Sequence, residues 1–340
     1  MLWLVALCGN VQAQTRFEFS EPQMGVPFRI VVYAVDESTA GTAARAAFER
    51  IAQLNSILSD YDSDSELSQL SRSSGSERNV PIGEELWEVL SRGQELAARS
   101  FGAFDVTVGP SVNLWRRARR RRELPEPDLL EKNRLRVGYS NLVLHAQTRS
   151  ATLNVEGMRL DLGGIAKGFA ADQALEILKG RGIARALVAA DGDIRVGDPP
   201  PGREGWQIGL ATLDVGNSPG VETILLRNAA VSTSGDLSQR LEIGGVRYSH
   251  IVDPRTGIGM TDHSLVTVIA SDAMTSDSLA TTVSVLGPLK GLELIEAFPG
   301  TGARILRQPQ DTLEVHESKR FAELTRSPRP AATLDPVDSE

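Results

Sequence analysis

The chain has 340 residues, with 36 Lys and Arg against 44 Asp and Glu, a formal net charge of −8. Apolar residues make up 41% and charged residues 24%, proportions that exclude a disordered, collagenous or low-complexity chain. The acidic balance argues against non-specific nucleic-acid binding, there is no run of 18 apolar residues to span a membrane as a helix, and one cysteine, Cys8, excludes a disulfide framework or thiolate zinc site within the chain.

Met1 to Gln14 (MLWLVALCGNVQAQ) reads as a clipped export signal, with Leu2 to Leu7 as its apolar region and Val11-Gln12-Ala13 as a cleavage site. It lacks a basic start, and Leu7 is large where a lipidated Cys8 would want Gly or Ala. A periplasmic or exported location is therefore expected ahead of membrane association through Cys8 or a cytoplasmic start. Phe28 to Val35 is β-branched and aromatic, a strand, and Thr39 to Leu58 repeats Ala43, Ala47, Ile51, Leu54 and Leu58 at helical spacing. A second helix spans Glu84 to Ser100. The arginine run Trp115 to Arg122 (WRRARRRR) resembles a nucleic-acid patch, but in an acidic chain a solvated helix face or loop is expected. Leu142–Leu144 and Ala151–Val155 suit a hairpin, and Asp172–Lys179 continues a third helix closed by Gly180 and Gly182.

Strands are predicted at Ala186–Ala190, Trp206–Leu210, Thr223–Leu226, Gln239–Ile243 and Leu265–Ala270. A fourth helix is predicted at Ser276–Leu286, and Pro288 begins a fifth over Leu289–Ala297. Strands outnumber strict βαβ alternation, so the expected class is α+β, with mixed sheets and packed helices rather than a doubly wound fold. Residues 15–324 are read as one unit, in one piece or two packed lobes, and the Pro- and Asp-rich 325–340 as a disordered tail.

Four segments carry residues that core packing does not require. In Leu160 to Asp172 (LDLGGIAKGFAAD) an apolar strand runs through Gly163-Gly164 into a helix with Lys167 in its first turn. Free N–H groups and the helix dipole there favour an anion, although the spacing matches neither the P-loop nor the dinucleotide fingerprint. Asp277 and Thr281 stand at i and i+4 on one helix face, and a carboxylate with a hydroxyl suits a hard cation such as Mg²⁺. Ser232-Thr233-Ser234-Gly235-Asp236 and Tyr248 to Gly257 supply small hydroxyls and His250, a candidate general base. Finally, Ser100 to Pro110 combines glycine, aromatic and carboxylate in a way that suits an adenine or isoalloxazine ring.

In order and wording these segments, with Met24-Gly25 and Leu58-Ser59-Asp60-Tyr61-Asp62, resemble the ApbE family of FAD:protein FMN transferases, from about Met24 to roughly Leu306. The resemblance implies an ApbE-like α+β (T-fold-like) architecture that binds FAD and Mg²⁺. It implies transfer of FMN through its phosphate to a threonine or serine of an acceptor protein, of the quinone-reductase or electron-transport subunit type, with release of AMP. Carried over by position, it places Met24, Tyr61, Ala103, Phe104, Asp105, Asp161, Lys167, Thr233, Ser234, His250 and Ile251 against FAD. Asp277 and Thr281 become Mg²⁺ ligands, with the carbonyl of Gly164 and the backbone of Ala280 as further contributors. Lys167, Asp277 and His250 become the catalytic set, His250 accepting the hydroxyl proton.

The chain departs from the family where Ala189-Ala190-Asp191-Gly192-Asp193-Ile194 stands for N-x-G-G-D-I, which adds Asp191 near the phosphates. It departs again at Leu210–Asp214, where an Asp-Pro turn is usual. Two rival readings remain: a Mg²⁺-dependent FAD pyrophosphatase using water as acceptor, and a flavin-binding protein without catalysis. No nucleic-acid partner and no transmembrane helix are expected.

Overall fold

Phe28, Ile30 and Val32 leave one face of the Val26–Ala34 strand and Val31 the other, and all four are buried, so this strand is covered on both sides. The computed structural model describes residues 13–213, 222–235, 240–309 and 312–325. The apolar start with Cys8, the Asp214 turn, Asp236, Gln239 and nearly all of the predicted tail lie outside them.

Among the described residues the Val26–Ala34 strand belongs to an eight-stranded sheet. Its spatial order is Thr15–Gln23, Val26–Ala34, Ala186–Ala190, Asp193–Val196, Ala229–Gly235, Ser264–Ala270, Gly302–Arg307 and Glu314–Glu317. Each neighbouring pair is antiparallel. The α+β class expected from the sequence holds. Strand direction therefore alternates throughout this sheet, with no parallel pair among the described residues, because hairpins and returning chains supply the neighbours.

The helices are α1 (Glu37–Leu58), α2 (Glu66–Arg72), α3 (Glu84–Arg99), α4 (Gly109–Arg121), α5 (Pro127–Arg134), α6 (Ala166–Gly180), α7 (Ala273–Glu296) and α8 (Phe321–Thr325). One sheet face packs on α1, α6 and α7 in the main core, where Phe28 and Ile30 meet Ile51, Leu54, Phe169 and Leu279. The other face is covered by the Trp206–Gly209 and Thr223–Leu226 hairpin and by Phe321 of α8. Asp36 starts α1 by accepting the Thr39 N–H at 2.8 Å.

α7 contains both helices predicted around Pro288, separated by Gly287 at φ 72°. It begins at Ala273, ahead of the predicted Ser276, because Asp272 caps it through the Thr275 N–H at 2.8 Å. The segment read only for its hydroxyls is the central strand Ala229–Gly235. Its serines replace aliphatic packing with hydroxyl pairs, Ser232 Oγ to Ser276 Oγ at 2.8 Å and Ser234 Oγ to Thr281 Oγ1 at 3.4 Å.

Candidate active site

α6 has no side-chain cap of its own, and its start is completed from α7. The Gly168 N–H donates to Asp277 Oδ2 at 3.0 Å. In return Asp172 on α6 accepts the Ala273 and Met274 N–H groups at the start of α7, each at 2.9 Å. The two helix N-termini are thus brought together at one place, each capped by the other's carboxylate. The contact is close because position 168 is glycine: a Cβ there would lie 2.1 Å from the Ala273 carbonyl oxygen.

Beside this crossing lies a cavity of about 510 Å³. Met24, Tyr61, Lys167, Thr233, Ser234, His250, Ile251, Asp277 and Thr281 all contribute to its wall, so most of the residues expected from the sequence are brought together. Met24 arrives on the Met24-Gly25 turn, both residues at positive φ (51° and 78°), in a two-residue hairpin. His250, half-buried, is held between Ser249, whose N–H donates to the Met260 carbonyl at 2.7 Å, and Ile251, whose carbonyl accepts the Met260 N–H at 2.8 Å.

Charge is concentrated at one end. Lys167 Nζ is ion-paired to Asp193, whose side chain is almost wholly buried. Burial works against the ammonium charge, but Asp277 and Asp193 outweigh it and hold Lys167 above the usual lysine range. Burial, reinforced by Asp193, raises the Asp277 carboxyl to about 7, against the opposing pull of Lys167 and the Gly168 N–H. Two buried carboxylates therefore share one lysine, a shortfall of positive charge that a cation would relieve.

The donor set fits Mg²⁺. Asp277 Oδ2 is committed to Gly168, and Oδ1 has no hydrogen bond among the described residues. Thr281 lines the same wall, and Gly164 stands directly behind it, so close that a Cβ would meet Thr281 Oγ1 at 2.8 Å. Among the described residues no cluster of three His, Cys, Asp or Glu side chains forms a metal cage. That suits an ion that takes one or two carboxylates and fills its shell with substrate oxygens and water. Ala280 is fully buried in the main core, so its methyl contributes nothing to the cavity.

Other expected residues sit elsewhere. Ala103 packs on Ile251 and Val285, and Phe104 is in the main core. Asp105 accepts from the Thr107 N–H and hydroxyl at 2.8 and 2.7 Å, and burial raises its carboxyl above the usual range. None of these three side chains is in the wall of the cavity, although Ala103 packs behind Ile251, which is. Asp161 is also one layer back. Its Oδ1 accepts the Gly163 N–H at 2.9 Å and its Oδ2 receives Arg116 Nη2 at 2.9 Å.

Arg116 is the residue that sequence reasoning missed. The run Trp115–Arg122 was expected to be solvated, but its first arginine turns inward into the cavity wall. It pairs with Asp60 and Asp161 and places its guanidinium 4.3 Å from the Tyr61 ring centroid. Burial would lower its pKa, but Asp161 and Asp60 raise it. Nothing in the run distinguishes this arginine from its neighbours; the one hint is that it follows the core residue Trp115. Asp193, too, stands out in the sequence only as part of an altered loop.

A second recess of about 590 Å³, lined by Arg255, Leu286, Pro288, Leu289, Lys290, Arg307 and His316, has no carboxylate or hydroxyl in its wall to offer a hard cation.

The sequence profile of the ApbE family matches residues 24–305. The FAD:protein FMN transferase of Treponema pallidum is 32% identical over 315 residues, 88% of this chain and 86% of the relative. That of Haemophilus influenzae is 32% identical over 295 residues, 84% and 85% of the two chains. Among solved structures, the ApbE protein of Thermotoga maritima superposes with a TM-score of 0.80 at 29% identity, covering 92% of this chain and 100% of its own. The flavin transferase ApbE of Vibrio cholerae gives 0.80 at 28% identity, with 92% and 99% covered.

Proposed function

This chain belongs to the ApbE family, and from that premise we propose that it is a Mg²⁺-dependent FAD:protein FMN transferase that joins FMN to a threonine or serine hydroxyl of an acceptor protein and releases AMP. As in its relatives, the activity is that of an enzyme, a flavin transferase. The observation that carries the finer reading is the convergence of Lys167, Asp277, Thr281 and His250 on one cavity, with Tyr61 and Met24 at the same wall.

In this reading Tyr61, Met24 and Ile251 receive planar and apolar parts of FAD. Lys167 and the Gly163-Gly164 backbone at the start of α6 hold the pyrophosphate. Asp277, Thr281 and the Gly164 carbonyl would hold Mg²⁺, which when bound neutralises charge developing on phosphate oxygens. The acceptor oxygen attacks the FMN phosphorus in line and a new P–O ester forms. The bond from that phosphorus to the oxygen bridging to AMP breaks, so AMP leaves with that oxygen. His250 takes the hydroxyl proton.

Incubation with FAD, Mg²⁺ and a quinone-reductase-subunit acceptor tests the proposal. The acceptor mass should rise by FMN minus water as AMP appears. AMP without labelling would make the protein a pyrophosphatase, and neither product would make it a carrier. Residues 15–324 act here as one catalytic unit. The Leu2–Leu7 apolar run supports an exported enzyme, periplasmic or membrane-associated, which fractionation of cells expressing the full chain tests.

A further inference from the structure

α4 and its C-terminal residue Arg122 carry six arginines in seven positions from Arg116, and the structure divides them. Arg116 is in the cavity wall. Arg119 is half-buried and close enough to Tyr61 for its charge to act on the phenol. Arg117, Arg120, Arg121 and Arg122 are exposed, and none has a carboxylate partner among the described residues.

Cations in the last turn suit the helix dipole, which explains the presence of some basic residues there. It does not explain so many. Arg117 and Arg121 stand at i and i+4, and Arg120, Arg121 and Arg122 are consecutive, so like charges crowd one another there. The four exposed arginines are thus crowded on one short stretch of helix, without carboxylate partners among the described residues, in a chain of net charge −8. It is also continuous with the cavity, because the helix that displays it supplies Arg116 to the wall and Arg119 to the surroundings of Tyr61.

We propose that the exposed arginine face of α4 docks an acidic segment of the acceptor protein, next to the hydroxyl that enters the cavity. The inference rests on the transferase reading, which requires a protein to approach the mouth. Attraction over this face would bring an acidic partner to a region where local positive charge offsets the enzyme's overall negative charge. The continuity of the patch with the cavity favours an acceptor over a lipid surface, which would need no such proximity.

The test uses two fluorescein-labelled peptides of equal length, each with a central threonine, one flanked by glutamates and the other by glycine and serine. Fluorescence anisotropy with the full chain should show roughly tenfold tighter binding of the acidic peptide at low salt, a preference lost at about 0.5 M salt. The triple variant Arg117→Gln, Arg120→Gln, Arg121→Gln should lose the preference and keep FAD binding, read by flavin fluorescence. The corresponding triple lysine variant should retain both. Equal binding of the two peptides, or a preference that survives the glutamine changes, overturns the proposal. So does weakened FAD binding in the glutamine variant, which would make the patch a guide for FAD. Loss of binding to phosphatidylglycerol vesicles with the peptide preference intact would make it a membrane contact. Preferential peptide binding without labelling of any acceptor would instead defeat the transferase reading, whereas labelling with no charge preference defeats only this one.

Discussion

Asp172 on α6 and Asp277 on α7 cap each other's helices, the first accepting the Ala273 and Met274 N–H groups at 2.9 Å and the second the Gly168 N–H at 3.0 Å. Asp172 is raised to about 6 by burial, against the two N–H groups and Arg195. This reciprocal arrangement sets the Lys167 turn against the Asp277 and Thr281 face. The site's geometry is therefore a consequence of how two helices start.

Gly168→Ala should destabilise the fold. The added methyl would fall 2.1 Å from the Ala273 carbonyl oxygen, a backbone atom that moves only if the helices separate, and overpacking of this kind costs about 1–3 kcal/mol or more. Thermal unfolding measures it. An unchanged midpoint would mean that the crossing yields easily.

Asp277→Asn and Asp277→Ala should separate capping from catalysis. Asparagine keeps an oxygen for the Gly168 N–H and loses the charge, so the fold should hold while Mg²⁺-dependent turnover disappears. Alanine should lose turnover and also about 1–2 kcal/mol of stability, as expected when a cap is removed. Wild-type turnover in Asp277→Asn would remove the residue from the metal set.

Stability without metal should fall as pH rises from about 4 to 7. Asp277 titrates near 7 in the fold, above its unfolded value, so over that window the folded state holds a proton that the unfolded state has lost. Mg²⁺ needs the deprotonated carboxylate. It should therefore raise the melting temperature more at pH 8 than at pH 5.5, and by much less in Asp277→Asn at either pH. Equal stabilisation of wild type and variant at pH 8 would contradict the assignment.

Arg116→Ala should raise KM for FAD about tenfold with a smaller effect on kcat, because the guanidinium that fixes the Tyr61 ring is lost. It also leaves Asp60 and Asp161 facing each other without their shared cation, at a cost of roughly 2–4 kcal/mol, discounted from the fully buried case. Steady-state kinetics and denaturant unfolding give the two numbers separately. A kcat loss with unchanged KM would argue against a positioning role.

His250→Asn should slow transfer and, with Mg²⁺ saturating, change the shape of the acidic limb of the pH–rate profile while leaving FAD binding in place. A profile of the same shape would mean that His250 is not the base.

Much of this molecule was legible as sequence because the information was local. The apolar spacing of Ala43 to Leu58 gives α1, Gly287-Pro288 gives the break in α7, and Gly163-Gly164-x-x-Lys167 gives the anion-compatible helix start. The i and i+4 placement of Asp277 and Thr281 gives a shared helix face in the same way. The wording of those segments was enough for the family. Other features depend on residues far apart in the chain. Lys167 meets Asp193, Gly168 meets Asp277, and Arg116 lies between Asp60 and Asp161. Ala103 to Asp105 carry the wording of a ligand loop, yet their side chains lie outside the cavity wall, the first two in apolar clusters and Asp105 hydrogen-bonded to Thr107. In an arginine run each residue looks alike, and only the helix phase set by Trp115 in the core turns Arg116 inward and leaves Arg117, Arg120 and Arg121 to solvent. Composition and periodicity determined the class, the elements and the chemistry available. Which carboxylate faces which cation was decided by the tertiary structure, because Coulomb energy depends on separation in space and burial, and neither is encoded by distance along the chain.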